Sequence, residues 1–297
     1  MKCGFVSIVG RPNVGKSTLL NSILGMKLAI TSNVSGTTRN VINGIYNDDE
    51  SQIIFVDTPG IHKPNDKLGS LLNKKAYSNT EGVDIILFLV DISKGFGKGD
   101  RFILERIKDK GLPIYLLLNK IDLLKDKSKL LSDINELKEL YDFKEIIPIS
   151  AAKNDNTKVL IDCLKRDLPE MDKIYSEEEI TNVTTRFIMA ELVREKVLEL
   201  THDEIPHTVT CYVENYEEDD KIVHIQILIV VDRDNIKKII IGKGGSMLKE
   251  IGTLARQDME EFLGKKVYLE TYVKTLKNWR DQEKYFVELG LKDEDEN

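Results

Sequence analysis

Short apolar runs alternate with amphipathic segments through the first half of the chain. Buried strands typically read as apolar runs of about four to eight residues that end in turn residues, and helices read as amphipathic stretches. Five such runs are present: FVSIVG, IIFVDTPG, IILFLVDIS, IYLLLNKID and IIPISA. This alternation predicts an α/β fold, with a mostly parallel sheet flanked by helices, over residues 1–168.

The pattern changes after Leu168. Residues 169–185 are polar and irregular, with Pro169 and a run of three glutamates, and are predicted to link two domains. The chain then reads as a helix (RFIMAELVREKVLEL), two strands (HTVTCYVENY and KIVHIQILIVV), a short helix from Asn235, a GKGG turn, a helix from Ser246 to about Leu263, a strand (KKVYLETYV) and a final helix (NWRDQEKYFVELG). Residues 186–290 are therefore expected to form a second, α+β domain, and the acidic residues 291–297 a disordered tail.

Composition and cysteine content narrow the class of protein. With 297 residues, of which 41% are apolar and 31% charged, the chain is typical of a globular protein with two domains. No apolar run approaches the roughly 20 residues that cross a bilayer, and no signal peptide is visible, so the cytoplasm is the expected location. The three cysteines, Cys3, Cys163 and Cys211, lack the spacing of a metal site and are predicted to be buried, reduced thiols.

The charge is unevenly distributed. The net charge of −7 argues against a protein that coats nucleic acid. Residues 233–280 nevertheless carry eleven Lys and Arg against six Asp and Glu, a local excess of +5. Taken alone, this excess favours a solvated helical face over a binding patch.

The first glycine loop predicts a phosphate site. GRPNVGKS, residues 10–17, matches GxxxxGK[ST] between a predicted strand and a predicted helix. The glycines let backbone N–H groups turn inward at a helix N-terminus, Lys16 would reach the β and γ phosphates, and the Ser17 hydroxyl would ligate Mg²⁺. The residues of this loop predicted to contact the nucleotide are Gly10, Arg11, Pro12, Asn13, Val14, Gly15, Lys16, Ser17 and Thr18.

A second motif, NKID, predicts which base is bound. The Asp122 carboxylate can accept from the ring N–H and the exocyclic amine of guanine, Asn119 can donate to the purine, and the Lys120 stem can cover the ring. The alternative for Asp122 is a helix N-cap. In the run ISA, Ser150 and Ala151 are also assigned to the nucleotide site, with the Ala151 N–H directed at guanine O6. This three-residue pattern alone does not indicate a nucleotide site.

Two further motifs predict groups around the γ phosphate. In DTPG, Asp57 would hold Mg²⁺ through water and the Gly60 N–H would meet the γ phosphate, with Thr58 and Pro59 beside them; the alternative is a plain Pro-Gly turn. In SGTTRN, residues 35–40, Thr38 rather than Thr37 would supply the second metal hydroxyl; the alternative is a threonine-rich loop. The predicted Mg²⁺ ligands are Ser17, Thr38 and Asp57, and the predicted catalytic groups are Lys16, Thr38 and Gly60.

These motifs, in this order, resemble the G domain of Ras-like GTPases over residues 3–168, in the bacterial branch that includes the Era and Der families. Ile61 stands where other switch GTPases carry the glutamine that orients the attacking water, so slow intrinsic hydrolysis is expected. In relatives with an asparagine at the position of Asn13, its side chain can ligate K⁺. The resemblance therefore implies Asn13 as a K⁺ ligand.

The second glycine loop, GKGG, resembles that of a type II KH domain. In that fold a GxxG turn between two helices clamps the backbone of about four single-stranded nucleotides. GxxG is a weak pattern, and its alternatives are a glycine break in a helix or a second nucleotide fold. The element order and the local positive charge favour the KH interpretation. The predicted RNA-binding residues are Ile241, Gly242, Lys243, Gly244, Gly245 and Lys249.

Taken whole, the chain is similar to the Era family, which joins one G domain to one C-terminal KH domain; Der relatives carry two G domains, and a second P-loop is absent here. The resemblance implies a GTPase that uses GTP and Mg²⁺, binds the single-stranded 3′ end of 16S ribosomal RNA and acts in 30S subunit biogenesis as a monomer. It also implies peripheral association with the cytoplasmic face of the cell membrane. The rival interpretation is a nucleotide-gated protein or membrane adaptor whose hydrolysis is incidental.

Overall fold

The computed structural model describes residues 1–32, 37–59, 66–78, 82–126, 128–202, 205–289 and 291. Within these ranges the chain forms two compact units. The first takes residues 1–29 and 38–59 and the described part of 71–182, whereas the second takes residues 30–32, 37 and 66–70 and the described part of 183–291. Two short early segments thus belong to the same unit as the C-terminal half of the chain.

The first unit is a sheet of six strands with helices between them. Five of the strands coincide with the predicted apolar runs, and the sixth, β2, was not predicted. Its strands are β1 (Lys2–Gly10), β2 (Ile42–Asn47), β3 (Ser51–Asp57), β4 (Ile85–Asp91), β5 (Ile114–Asn119) and β6 (Glu145–Pro148). Its helices are α1 (Lys16–Leu24), α2 (Lys67–Ser78, of which residues from 71 onward belong to this unit), α3 (Lys98–Ile107), α4 (Ser128–Lys138) and α5 (Thr157–Asp167). Every residue of β3, β4 and β5 is buried, which explains their near-continuous apolar sequences.

The strand order places the carboxyl ends of four strands side by side, and three of these ends are polar residues. The order is β2-β3-β1-β4-β5-β6, with all pairs parallel except β2 with β3. Strands β3, β1, β4 and β5 are therefore neighbours, and they end at Asp57, Gly10, Asp91 and Asn119. Carboxyl ends of neighbouring parallel strands form the ligand-binding edge of an open α/β sheet.

Residues 169–182, predicted as part of a linker over 169–185, pack along the first unit. The Pro169 carbonyl accepts from the Cys3 N–H at 3.1 Å, and the Ile180 carbonyl accepts from the Ile45 N–H at 2.9 Å. These bonds use backbone groups of the segment, so its polar composition does not reveal them. The segment extends the bonded edge of the sheet beyond β2.

The second unit has the element order predicted for residues 186–290. Its helices are α6 (Thr185–Leu200), α7 (Asp234–Ile241), α8 (Ser246–Leu263) and α9 (Glu283–Glu288), and its strands are β7 (Thr210–Glu218), β8 (Ile222–Val231) and β9 (Lys266–Thr275). The sheet order is β7-β8-β9, antiparallel between β7 and β8 and parallel between β8 and β9. A parallel pair requires a crossover, which α7 and α8 supply.

Three expectations are corrected by the described residues. The final helix is broken into a 3₁₀ turn at Trp279–Asp281 and then α9, because Asn278 is left-handed (φ 52°) and Gln282 is extended. Leu291, assigned to the disordered tail, is buried and its N–H donates to the Phe286 carbonyl at 2.7 Å, whereas residues 292–297 lie outside the description. Cys163 is only half-buried, unlike Cys3 and Cys211.

No helix in the described part of the chain is long and apolar enough to span a bilayer.

Candidate nucleotide site and glycine loop

The loop between β1 and α1 has a shape that only glycine permits at two positions. Gly15 is left-handed (φ 102°), and a Cβ there would collide with the Asn119 side-chain nitrogen. A Cβ on Gly10 would lie 2.5 Å from the Leu89 carbonyl oxygen on β4. A residue with a Cβ atom would clash at either position. The conformation of this loop therefore requires glycine at both positions of the motif.

Lys16 begins α1 with its side chain in the loop. The residue is 6% exposed, and its Nζ lies 3.4 Å from the Gly10 carbonyl oxygen and 3.3 Å from that of Arg11. Both distances are near the upper limit for hydrogen bonds, so they leave the ammonium weakly satisfied. Burial lowers the pKa of Lys16, against the opposing effect of the Asp57 carboxylate. A buried cation with weak contacts is well placed to take an anionic ligand.

The three predicted Mg²⁺ ligands come together. The Ser17 Oγ donates to Asp57 Oδ2 at 2.7 Å and lies 2.9 Å from the Thr38 Oγ1. Burial raises the pKa of Asp57 to about 6, although the Lys16 charge and the Ser17 hydroxyl pull it down. Among the described residues, the buried Asp57 Oδ1 has no hydrogen-bond partner. Hydroxyl and carboxylate oxygens suit Mg²⁺, and the unsatisfied oxygen fits a carboxylate that acts through a metal-bound water.

Asn119 connects the base-recognition loop to the phosphate loop. Its Nδ2 donates to the Val14 carbonyl at 2.7 Å, and its Oδ1 accepts from the Ala151 N–H at 3.0 Å. The predicted direction of the Ala151 N–H towards guanine O6 therefore differs from the structure, where Asn119 takes that donor. The three motifs form one hydrogen-bonded assembly.

Asp122 is held by Ser150 and does not cap a helix. The Ser150 Oγ donates to Asp122 Oδ1 at 2.5 Å. The short 3₁₀ turn Ile121–Leu123 is capped by Lys120, and Asp122 lies inside it, which removes the N-cap alternative. The carboxylate is exposed, so it is accessible to a base.

Asp91 is a residue of this site that the motifs do not indicate. Lys120 Nζ donates to Asp91 Oδ2 at 2.9 Å and to the Asn13 carbonyl at 2.7 Å. Burial would raise the pKa of Asp91, but hydrogen bonds from Ser93 and Lys120 outweigh it and the pKa is lowered. In the sequence, the position of Asp91 could have been inferred only from its place at the end of the apolar run IILFLVD. The Lys120 stem is thereby stretched between β4 and the phosphate loop.

Of the remaining residues predicted to contact the nucleotide, some bond to other parts of the first unit, some lie in the loop, and one lies outside the described residues. Arg11 turns away, because its Nε pairs with Asp100 Oδ1 on α3 at 2.8 Å. The Thr58 hydroxyl donates to the Ile8 carbonyl at 2.8 Å, a bond that fixes the end of β3. Gly60, and Ile61 after it, lie outside the described residues. Pro12 and Thr18 are partly exposed in the loop and the first turn of α1, and Val14 and Pro59 are buried.

The GKGG loop joins α7 to α8 in the second unit. Gly242 has φ 74° and ψ 176°, and a Cβ there would lie 2.8 Å from the Met247 backbone nitrogen. Gly244 and Gly245 are also left-handed, at φ 62° and 82°, but a Cβ on either meets nothing within 4 Å. Lys243 and Lys249 are exposed and Ile241 is partly exposed. Gly242 is thus fixed by packing, whereas Gly244 and Gly245 leave backbone open to a ligand.

Fold and site together define a P-loop GTPase that also carries a KH domain. Residues 5–120 match the family described as 50S ribosome-binding GTPase, and residues 204–280 match the KH domain family. Two solved structures are each 41% identical with a TM-score of 0.95, over 98% of this chain and 99% of theirs. One is an Aquifex aeolicus Era variant bound to GDP and AlF4⁻; the other is Era in complex with MgGDPNP and nucleotides 1506–1542 of 16S ribosomal RNA. The chain belongs to the Era family of GTPases.

Proposed function

We propose that the protein is a GTP-hydrolysing switch that binds the single-stranded 3′ end of 16S ribosomal RNA through its KH domain and acts in 30S subunit biogenesis. The observation that carries the proposal is the meeting of Ser17, Thr38 and Asp57 within hydrogen-bond distance, beside the buried Lys16. A related Era complex contains both MgGDPNP and a 16S ribosomal RNA segment, which supports the nucleotide and the RNA parts together.

Each part of the phosphate loop has a defined task in hydrolysis. The backbone N–H groups before α1 would donate to the phosphates of a bound nucleotide, and Lys16 would neutralise charge at the β and γ phosphates. Ser17, Thr38 and Asp57 would hold Mg²⁺, which when bound neutralises charge on the phosphate oxygens. Slow turnover is expected from Ile61, because an aliphatic side chain cannot orient the attacking water by hydrogen bonding.

Guanine recognition is assigned to Asp122, with Asn119 and Lys120 in support. The Ser150 bond leaves the second carboxylate oxygen of Asp122 for the base donors. Because Asn119 already donates to Val14, its second amide hydrogen is the one available to the purine. Selection of the base and the shape of the phosphate loop are therefore coupled.

RNA binding is assigned to the GKGG loop and the exposed lysines around it. Ile241, Gly242, Lys243, Gly244, Gly245 and Lys249 combine open backbone, positive charge and the N-terminus of a long helix, all of which favour phosphates. The rival adaptor interpretation is not favoured, since one related Era structure holds GDP and AlF4⁻ and the other holds MgGDPNP together with 16S ribosomal RNA. Peripheral membrane association and a monomeric state remain predictions from the family resemblance.

The function is tested by titrating the full-length protein with a 16S ribosomal RNA 3′-end oligonucleotide at increasing KCl, in the presence of GDP or a non-hydrolysable GTP analogue. An RNA clamp should lose affinity steeply with salt. Gly244→Asp should weaken RNA binding by about 10-fold or more by charge repulsion, while Gly244→Asn, of the same shape and tolerant of a left-handed backbone, should weaken it less. Equal losses of GTP and RNA affinity in Gly244→Asp would contradict separate sites.

We also propose K⁺ as a second cation, with Asn13 as a ligand. Asn13 is left-handed (φ 62°) and its carbonyl is held by Lys120, so its side chain starts from a fixed backbone in the phosphate loop. Turnover of GTP should be faster in potassium-only than in sodium-only buffer at equal ionic strength. Equal turnover in the two buffers excludes the role, and Asn13→Ala should remove any difference.

A further inference from the structure

Asp91 ends strand β4 of the first unit beside the base-recognition loop, residues 119–122. The register of the sheet pairs it with Asn119, the last residue of β5. Asp91 is buried, with only 2% of the residue exposed. A buried carboxylate requires partners for its charge and its lone pairs. Asp91 has these partners in Ser93, two residues further along the chain, and in Lys120 of the base-recognition loop.

The Lys120 side chain joins Asp91 to the phosphate loop. Its Nζ donates to Asp91 Oδ2 at 2.9 Å and to the Asn13 carbonyl at 2.7 Å. The Ser93 Oγ donates to Asp91 Oδ1 at 2.5 Å, so each oxygen of the carboxylate has a donor of its own. Lys94 Nζ also lies 3.9 Å from Oδ2, but its side chain is 71% exposed and contributes little. A bond between two charged groups is stronger than one to a carbonyl, so Asp91 is the firmer of the two anchors of Lys120.

The backbone of Lys120 has a conformation that its own sequence does not favour. Its φ of 68° and ψ of 35° are left-handed, a region that a lysine rarely adopts. Such a conformation persists only where the surrounding structure holds it, and it is typical of functional sites. The two bonds at the far end of the Lys120 side chain supply contacts of this kind. Asp91 therefore helps to keep the base-recognition loop in its observed shape.

The position of the ammonium group restricts the stem of Lys120. The stem begins at the Cα in the base-recognition loop and ends at the bonds to Asp91 and Asn13. This stem is the group assigned to cover the purine ring, so a base beneath it leaves the site only when the stem moves. Without the carboxylate, the ammonium would keep a single bond, to the main chain of the phosphate loop. The Asp91 bond thus opposes the movement that nucleotide release requires.

We propose that Asp91 is a positioning residue for nucleotide binding, which by pairing with Lys120 keeps the lysine stem over the base and slows the release of the guanine nucleotide. The inference rests on the proposed binding of GTP and GDP at this site. Asp91 lies outside the motifs that indicate the site in the sequence, and it acts through Lys120 rather than through a contact of its own with the nucleotide.

The test measures the release of fluorescent N-methylanthraniloyl-GDP from the full-length protein, with Mg²⁺ present and excess GDP as the competitor. Asp91→Asn keeps the shape of the side chain and removes its charge. The release rate should rise about 10- to 100-fold, the loss expected for a hydrogen bond between charged groups. The rate of cleavage of GTP that is already bound, measured in a single turnover, should change little, because Lys16 and the three predicted Mg²⁺ ligands are untouched.

A double-mutant cycle shows whether Asp91 acts through Lys120. Lys120→Met keeps an aliphatic stem and removes the ammonium, so it should also speed release. Because the two side chains would then no longer share a bond, adding Asp91→Asn to Lys120→Met should speed release no further. Asp91→Glu keeps the negative charge and should restore part of the slow release.

A matched control separates positioning from loss of stability. Asp84 immediately precedes β4, at the end of the strand opposite to Asp91, and its Oδ2 accepts from the Phe5 N–H at 2.8 Å. Asp84→Ala should lower the melting temperature and leave the release rate unchanged. If Asp91→Asn does not fold, Ser93→Ala takes its place. Ser93 is exposed, and loss of its bond to Asp91 should speed release by about 3-fold.

The outcomes distinguish the positioning role from the proposed function. The release rate of the unmodified protein in folded Asp91→Asn overturns the positioning role, as does an unchanged rate in Ser93→Ala when Asp91→Asn is unfolded. Effects of Asp91→Asn and Lys120→Met that multiply in the double variant also overturn it, as does equal acceleration in Asp84→Ala. Failure of the unmodified protein to bind the fluorescent GDP would instead overturn the proposed function.

Discussion

At the scale of single residues, Asn119 shows how the two halves of the nucleotide site depend on each other. Its side chain donates to Val14, accepts from Ala151 and occupies the space that a Cβ on Gly15 would need. The glycine is therefore required by the asparagine as well as by its own positive φ. Changes to either residue disturb phosphate and base contacts together.

Asp122→Asn should shift the protein from guanine to xanthine nucleotides. Replacing the carboxylate by an amide removes an acceptor for the two guanine donors and adds a donor for the extra xanthine carbonyl. Hydrogen bonds to a charged group contribute roughly 1.5–3 kcal/mol, so GTP affinity should fall at least about 10-fold. Competition between GTP and xanthosine triphosphate measures the shift.

Ser150→Ala is the matched control for this substitution. It keeps the carboxylate and removes the 2.5 Å bond that orients it. GTP affinity should fall by a smaller factor, with no gain for the xanthine nucleotide. Unchanged GTP affinity in Asp122→Asn would remove Asp122 from base recognition.

Sequence patterns indicate some functional residues of the structure and miss others. Asp57 and Asn119 end apolar runs inside recognisable motifs, so their place at the sheet edge was predictable. Asp91 also ends an apolar run, but no motif surrounds it, and its importance follows only from the distant Lys120. The hydrogen bond from Arg194 to the Thr37 carbonyl gives no signal in the sequence, because the two residues lie 157 positions apart.

At the scale of elements, the turn between β2 and β3 is organised by one carboxylate. Asp48 Oδ1 accepts from the Ser51 N–H at 2.8 Å and from the Glu50 N–H at 3.0 Å, and Oδ2 pairs with Lys165 Nζ of α5 at 2.5 Å. This turn returns the chain into the antiparallel β2–β3 pair. The sequence INGIYN gave no continuous apolar run, so β2 was not predicted; it is stabilised by tertiary pairing on both sides.

This carboxylate should make the first unit sensitive to acid. Burial would raise the pKa of Asp48, but hydrogen bonds from Lys165 and the Glu50 N–H outweigh it and lower the pKa to about 2. Because the folded-state pKa lies below the unfolded value, the stabilisation is complete above about pH 4 and disappears as the pH falls towards 2. For a partly exposed pair it amounts to roughly 1 kcal/mol.

Urea unfolding of the protein and of Asp48→Asn between pH 6 and pH 2 measures this contribution. The variant should be about 1 kcal/mol less stable at pH 6, and the difference should vanish near pH 2. Asp49→Asn, at the exposed next position, is the control and should track the unmodified protein throughout. A difference between Asp48→Asn and the unmodified protein that persists unchanged at pH 2 would contradict this account.

At the scale of the whole molecule, the order of elements was readable from the sequence and the grouping of segments was not. Apolar periodicity reports burial along one stretch of chain. It gives β1, β3 to β6 and the GKGG turn between α7 and α8, but it misses β2 and the break before α9. It cannot report that residues 30–32, 37 and 66–70 cluster with the C-terminal half. One bond within that grouping joins residues more than 200 positions apart, the Arg280 Nη1 donation to Asp66 Oδ2 at 2.9 Å.

The path of residues 169–182 along the first unit determines where a fragment of that unit can end. Gln52 is fully buried, and its Oε1 accepts from the N–H groups of Ile174 and Tyr175 at 2.7 and 2.9 Å, while its Nε2 donates to the Tyr175 carbonyl at 2.9 Å. A G-domain fragment that stops at Leu168 would leave this amide short of partners in the core and would expose the outer edge of β2. Bare edges invite intermolecular pairing. A fragment that keeps Asn182 retains its own edge cover and is the one suited to study in isolation.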